Sequence, residues 1–223
     1  MKIERVKLSV PFYRQASQFT CGPASLMMAM KFFRPTIQLN RELELDIWRE
    51  SNLVESYGTS KEGLALAAAR RGFSVYPMGP SHRHSFVGAI WHKIPMIDSK
   101  ILEVLYNDTR KKFRAMRLKN ANRKIELTLM KRILRKSHVP LVLTSTSLFG
   151  DEEALPHWIV LTGYSNTDWY VNNPLAKFPD TRIDRTRLKK NLGYRGIQCS
   201  VIIRGSRNRK KNKSGMKETG RSI

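Results

Sequence analysis

Helices are predicted mainly in the first part of this chain and strands mainly in the second. Before residue 137, apolar and amphipathic periodicities predict helices, with an extended segment at Leu8–Tyr13 and a short strand, Phe73–Tyr76, among them. The predicted helices are Ala24–Phe33, Arg41–Ser51, Lys61–Arg71, Ser99–Met116 and Leu127–Lys136. Strands then follow one another at Pro140–Ser145, His157–Tyr164, Asp168–Asn173 and Gln198–Ile203, the middle two forming a hairpin. Helices first and an antiparallel sheet second are typical of an α+β fold.

Length and composition fit a single globular domain with an appended tail. The 223 residues are 41% hydrophobic, and we expect one domain over residues 1–203 and a disordered basic tail over 204–223. No apolar run approaches the roughly 18 to 20 residues of a membrane span, and the first residues lack a signal-peptide core. We therefore expect a soluble, cytoplasmic protein with no membrane partner.

The charge of the chain is strongly positive and unevenly distributed. The net charge is +23, the tail carries eight basic residues against Glu218, and Arg110–Lys136 contains twelve against Glu126. This pattern fits either a solvated helix surface or an acidic partner, such as nucleic acid, a ribosome or an acidic peptide. No RNA-recognition aromatic motif, zinc finger or glycine-rich phosphate loop favours nucleic acid, which therefore stays an open alternative.

Metal and cofactor sites are not indicated. The two cysteines, Cys21 and Cys199, match no zinc spacing and cannot build a disulfide framework. Cys199 lies in a predicted strand, where a thiol is usually buried and inert. His82 and His84 stand two residues apart in a loop without further ligands. We expect no metal and no organic cofactor.

Cys21 has the surroundings of a nucleophile. It lies at the predicted first turn of an apolar helix, followed by Gly22 and Pro23, and a helix N-terminus lowers the pKa of a thiol. Gln15, six residues upstream, can direct its side-chain NH₂ to the place where a tetrahedral oxyanion would form. Gln18 is the alternative glutamine, but it is too near Cys21 to reach round the turn.

His157 is the best candidate for a general base. It opens the strongest β-run in the chain. A lone histidine at a strand start is usually structural, but the Gln15–Cys21 turn supplies a nucleophile for which His157 can act as base. Asn172 and Asn173 end the next strand of the hairpin, from which a side chain can reach back to His157. Two asparagines before Pro174 are also ordinary turn chemistry. Strand alternation directs Asn172 to the opposite face, so Asn172→Ala should have a mild effect.

Three motifs resemble a known family when taken in order: Gln-x5-Cys-Gly-Pro-Ala, then His-Trp-Ile-Val-Leu-Thr-Gly-Tyr, then Tyr-Val-x-Asn-Pro. They are similar to the double-glycine (bacteriocin-leader-processing) cysteine peptidases, which have a papain-like fold. The segments Leu43–Glu50 and Gly63–Phe73 resemble a stand-alone, soluble branch of that family, and the similarity spans Val10–Pro174. The resemblance implies Cys21 as nucleophile, Gln15 as oxyanion donor, His157 as base and Asn173 as the residue that orients it.

Asn173 departs from the family, which usually has aspartate at this position. An asparagine can fix the histidine tautomer through its carbonyl oxygen, but it supplies no charge to stabilise an imidazolium. The resemblance implies hydrolysis of a peptide or amide bond in a peptide or protein substrate, through a cysteine thioester. Two alternatives remain: a catalytically weak papain-like module that binds a peptide or polyanion, and an acyltransferase that uses the same intermediate.

Overall fold

The computed structural model describes residues 4–52, 58–80 and 99–206. The loop histidines His82 and His84, and the predicted tail from residue 207 onward, lie outside these described residues.

Three helices in the first third of the chain form a layer on one face of the sheet. They are α1 (Cys21–Phe33), α2 (Arg41–Ser51) and α3 (Lys61–Arg70). The Asn40 side chain caps α2 by accepting from the Leu43 N–H, and the Ser60 hydroxyl caps α3 by accepting from the Gly63 N–H. Gly63 also lets the two helices approach, because a Cβ there would lie 2.5 Å from the Ser51 carbonyl oxygen.

The described strands form one antiparallel sheet. They are β1 (Val6–Lys7), β2 (Phe73–Met78), β3 (Val139–Ser145), β4 (Pro156–Tyr164), β5 (Asp168–Asn172), β6 (Thr181–Asp184) and β7 (Ser200–Ser206). The order across the sheet is β2-β7-β3-β4-β5-β6, and β1 pairs with the end of β4. The last strand therefore lies between β2 and β3, near one end of the sheet, while β4 and β5 are neighbours.

The sheet separates two hydrophobic cores. On one face, α1 and α3 pack on alternate residues of β3, β4 and β7, including Leu141, Trp158 and Val201. On the other face, Val142, Ile159 and Ile202 pack with residues of α5 (Leu127–Arg135). The other described helices are α4 (Ser99–Ala115), a 3₁₀ turn (Thr146–Phe149) and α6 (Arg185–Lys190). Among the described helices, none is long and apolar enough to cross a bilayer.

The predicted α+β class is confirmed, with local differences. Helix α1 begins at Cys21, three residues earlier than predicted, which places the thiol on its first residue. The pattern analysis missed β6 and α6, because these short, charged segments bury little beyond Ile183 and Leu188. Strand β7 runs to Ser206, so the first three residues of the predicted tail belong to the sheet.

Candidate active site

Cys21 occupies the first position of α1 and is almost fully buried. Its side chain is 8% exposed, and the backbone N–H groups of Trp158, Gly22 and Cys21 itself are directed at the sulfur. Gly22 is required by the packing, because a Cβ there would lie 2.0 Å from the Thr59 hydroxyl oxygen. The N-terminus of α1 therefore supplies hydrogen-bond donors at the thiol, where negative charge would develop in acyl transfer.

His157 is brought to the same place by β4. Since the Trp158 N–H donates to the Cys21 sulfur, the thiol lies beside the peptide bond that joins His157 to Trp158. The Ser25 hydroxyl of α1 donates to the Trp158 carbonyl at 3.2 Å and ties the helix to the strand. The imidazole is 2% exposed, and the Phe149 ring packs edge-to-face against it at 5.8 Å between centroids.

Asn173 determines the tautomer of His157. The Asn173 Oδ1 atom lies 2.7 Å from His157 Nε2 and also accepts the backbone N–H of Leu175 at 3.0 Å. A backbone N–H can only donate, so the contacted atom of Asn173 is the oxygen, and Nε2 must carry a proton to donate to it. The neutral ring then has its lone pair on Nδ1, which is the nitrogen available to accept a proton.

Burial determines the charge states of the two residues. It raises the pKa of the Cys21 thiol to about 11, and the three backbone N–H groups lower it less than burial raises it. Burial also lowers the pKa of His157 to about 4, against smaller raising effects of Asn173 and Asp151. The prediction of a lowered thiol pKa is therefore wrong for this conformation, because β4 covers the helix terminus and removes water from it.

The resting pair is a neutral thiol and a neutral imidazole. Among the described residues, no hydrogen bond joins the Cys21 sulfur to the His157 ring. Burial shifts the pKa of the thiol upward and the pKa of the imidazole downward, and both shifts favour the neutral forms. A thiolate–imidazolium pair is therefore not the ground state here.

Gln15 lies next to the Asn173 segment. Its backbone N–H donates to the Pro174 carbonyl at 3.0 Å, and its side-chain nitrogen donates to the Ser17 carbonyl at 2.6 Å. The side-chain oxygen is buried and lacks a hydrogen-bond partner within the described part of the chain. An amide NH₂ has two protons, so one remains after the contact with Ser17. Gln18, the alternative, is exposed.

Glu44 of α2 fixes the segment that carries Gln15. Its carboxylate is fully buried and accepts hydrogen bonds from the Tyr13 hydroxyl at 2.9 Å and the Ala16 backbone N–H at 3.0 Å. Burial and the hydrogen bond to Glu44 raise the pKa of the Tyr13 hydroxyl to about 12. No sequence pattern predicted a role for Glu44. The available signal was a carboxylate one turn before Trp48, whose ring contacts Phe19 in the same segment.

Asn172 has a structural role that strand alternation did not predict. It is fully buried, and its side chain donates to the carbonyls of Val10 and Pro11 and accepts the Asp180 N–H. Asn172→Ala would remove hydrogen bonds between two segments 162 residues apart, so we expect it to lower the stability of the fold. The prediction that it affects the reaction rate only mildly stays a prediction. Cys199, as predicted, is buried, and burial raises its pKa to about 12.

The described residues contain no group of three or more histidine, cysteine or acidic side chains able to hold a metal ion. What they bring together is a thiol at a helix N-terminus, an imidazole on an adjacent strand and an amide that holds the imidazole, on a papain-like α+β fold. Residues 10–190 match the model of the Peptidase_C39 like family, and the chain belongs to that family.

One solved structure agrees with this assignment at the level of the fold. A protein described as a C39-like peptidase from Bacillus anthracis superposes with a TM-score of 0.56 at 14% identity, covering 91% of this chain and 99% of that one. The peptidase domain of Streptococcus ComA, a bifunctional ABC transporter involved in quorum sensing, gives a TM-score of 0.47 at 14% identity, with 88% and 99% covered. Comparison with curated proteins yields no significant match.

Proposed function

We propose that this protein is a cysteine peptidase or amidase that cleaves a peptide or amide bond through a thioester on Cys21. His157 takes the thiol proton on Nδ1 as the sulfur attacks the substrate carbonyl carbon. The proton then passes to the departing amine, which leaves as the C–N bond breaks and the thioester forms. Water attacks the thioester with His157 again as the base, releasing the carboxylic acid and the free thiol.

The oxyanion of each tetrahedral intermediate would be stabilised by the N-terminus of α1. The Cys21 backbone N–H already faces the sulfur, and the remaining Gln15 side-chain N–H is the second donor. Because the resting thiol and imidazole are neutral, proton removal accompanies attack instead of preceding it. His157 therefore acts as a general base in the transition state.

The observation that supports this proposal best is the orientation of His157. The bonds from His157 Nε2 and the Leu175 N–H to one amide oxygen leave Nδ1 unprotonated. A general base needs a free lone pair beside its nucleophile, and the unprotonated Nδ1 has one. A buried histidine with a purely structural role does not need an unprotonated Nδ1.

Intact-protein mass spectrometry after incubation with a peptide library tests the proposal. We expect an acyl adduct on Cys21 that Cys21→Ser abolishes and that Cys199→Ser leaves unchanged. Gln15→Ala should lower turnover of any peptide so identified by about 10²-fold, the usual scale for one oxyanion donor, while the matched variant Gln18→Ala should not. An adduct on Cys199, or equal effects of the two glutamine variants, would contradict the assigned roles.

The burial of Cys21 favours one alternative function, a module that binds peptides without cleaving them. The Cys21 thiol is nearly inaccessible and its pKa is about 11. These properties fit a module that only binds peptides as well as they fit an enzyme with slow catalysis. Peptide binding that persists in Cys21→Ser, with no adduct in the unsubstituted protein, would support this alternative. Transfer of the acyl group to an added peptide amine in preference to water would instead indicate an acyltransferase.

A further inference from the structure

A second site lies on the sheet face opposite α1, near the β2 edge. A cavity of about 520 Å³ opens there between α5 and strands β2 and β7. Its floor is apolar and includes Met78, Ile133 and Ile202. It is separate from the candidate active site, because β3 lies between β7, which lines the cavity, and β4, which carries His157.

The walls of this cavity carry positive charge that acidic side chains in the described part of the chain leave largely unpaired. Arg123, Arg132, Lys136 and Arg204 line it, and none of them forms an ion pair within the described residues. Arg135 also lines it, but that guanidinium is paired with Glu4 and donates to the Tyr164 hydroxyl.

The electrostatics of the cavity favour an anion. The C-terminus of α5 contributes about half a negative charge, which the four cations outweigh. His138, also in the lining, has its pKa lowered by partial burial and then by Arg204 and Lys136, as a positive field requires. Three of the four cations are arginines, whose planar guanidinium groups bind phosphate oxygens in pairs.

The floor and walls also define the uncharged part of a ligand. The Arg204 guanidinium lies 4.6 Å from the centre of the Tyr76 ring, so a planar cation and an aromatic ring are held together at the wall. A purine ring stacks on either kind of group, and the volume suits a small molecule. A duplex or a folded acidic domain would use the charge but not the apolar floor.

We propose that this cavity binds a nucleoside polyphosphate, with the phosphates on the arginines and the base over the apolar floor near Tyr76. This site is independent of the proposed peptidase activity. It uses part of the basic block that the sequence analysis linked to an acidic partner.

Isothermal titration of the full chain with ATP in 150 mM KCl without divalent metal tests the proposal. We expect saturable 1:1 binding that is at least tenfold tighter than the binding of tripolyphosphate, which carries similar charge without the base. Equal affinities, or no saturable ATP binding, would overturn the proposal. Tighter binding of a single-stranded RNA or an acidic peptide that displaces ATP would also overturn it, by showing that the surface serves a macromolecule.

Matched variants separate the cavity from the general positive charge. Arg132→Gln and Arg204→Gln should each weaken ATP binding tenfold or more, whereas Arg187→Gln and Lys189→Gln on the exposed surface of α6 should change it less than twofold. Tyr76→Leu should narrow the preference for ATP over tripolyphosphate, and deletion of residues 207–223 should leave the affinity unchanged. Equal losses of ATP affinity in the cavity variants and the α6 variants, or a loss of ATP affinity when residues 207–223 are deleted, would refute the site. Thermal unfolding of each variant establishes that the comparison is between folded proteins.

Discussion

The contact between Asn173 and His157 allows a prediction that does not require knowledge of the substrate. Asn173→Ala removes the oxygen that accepts both the His157 Nε2–H and the Leu175 N–H. The buried imidazole donor is left unpaired at a cost of about 1–3 kcal/mol, and the loss of the Leu175 contact adds about 1 kcal/mol. A total near 3 kcal/mol in a domain of this size lowers Tm by roughly 6–12 °C.

Asn173→Asp should act through charge. A carboxylate in contact with the imidazole favours its protonated form and raises the pKa of His157 from about 4 by roughly 1–3 units. The imidazolium in turn stabilises the Cys21 thiolate, so alkylation of Cys21 by iodoacetamide at pH 7 should accelerate about tenfold or more. Asn122→Asp, at an exposed position, is the matched control and should change neither quantity.

Nitrogen-15 NMR of the histidine rings measures both the tautomer and the pKa. In the unsubstituted protein we expect His157 to carry its proton on Nε2 at pH 7 and to titrate near pH 4. Asn173→Asp should shift the titration upward, and Asn173→Ala should remove the fixed tautomer. A proton on Nδ1 in the unsubstituted protein, or an unchanged titration in Asn173→Asp, would refute the reasoning.

Three further results follow from burial in and around the site. The free energy of unfolding should fall by about 3 kcal/mol as pH drops from 6.5 to 4, because the unfolded chain protonates His157 at its ordinary pKa and the folded chain does not. Chemical denaturation at a series of pH values measures this fall. The same dependence of the unfolding free energy on pH in His157→Gln would contradict the prediction. Gly22→Ala should destabilise the fold by 2 kcal/mol or more through collision with Thr59, which thermal unfolding measures. Alkylation followed by peptide mapping should label Cys21 before Cys199 as pH rises above 9, and the reverse order would be inconsistent with the N–H donors at Cys21.

The elements of this fold could be predicted where one local pattern determines them. The apolar run of α1, the caps at Asn40 and Ser60, and the β4–β5 hairpin all depend on residues close together in sequence. The contact of Asn173 with His157 could be predicted as well, because a hairpin brings the end of one strand to the start of the other.

What could not be predicted depends on distant segments. The hydrogen-bond partners of Glu44 lie 28 and 31 residues away in the sequence. Without knowledge of these partners, a carboxylate on an amphipathic helix such as α2 is predicted to lie on the surface. Asn172 looked replaceable because alternation shows only which face it occupies, and the carbonyls of Val10 and Pro11 cover that face. The pKa of Cys21 was predicted in the wrong direction because burial of the thiol raises its pKa more than the N–H groups at the helix terminus lower it.

The position of β7 constrains when the protein can fold during synthesis. This strand, the last described strand to be translated, hydrogen-bonds to both β2 and β3, and its Val201 and Ile202 enter the two cores. Until it has been made, a nascent chain has β2 and β3 with unpaired edges and both cores incomplete. Assembly therefore follows translation, and the ribosome-bound intermediate exposes strand edges that can pair wrongly with other chains.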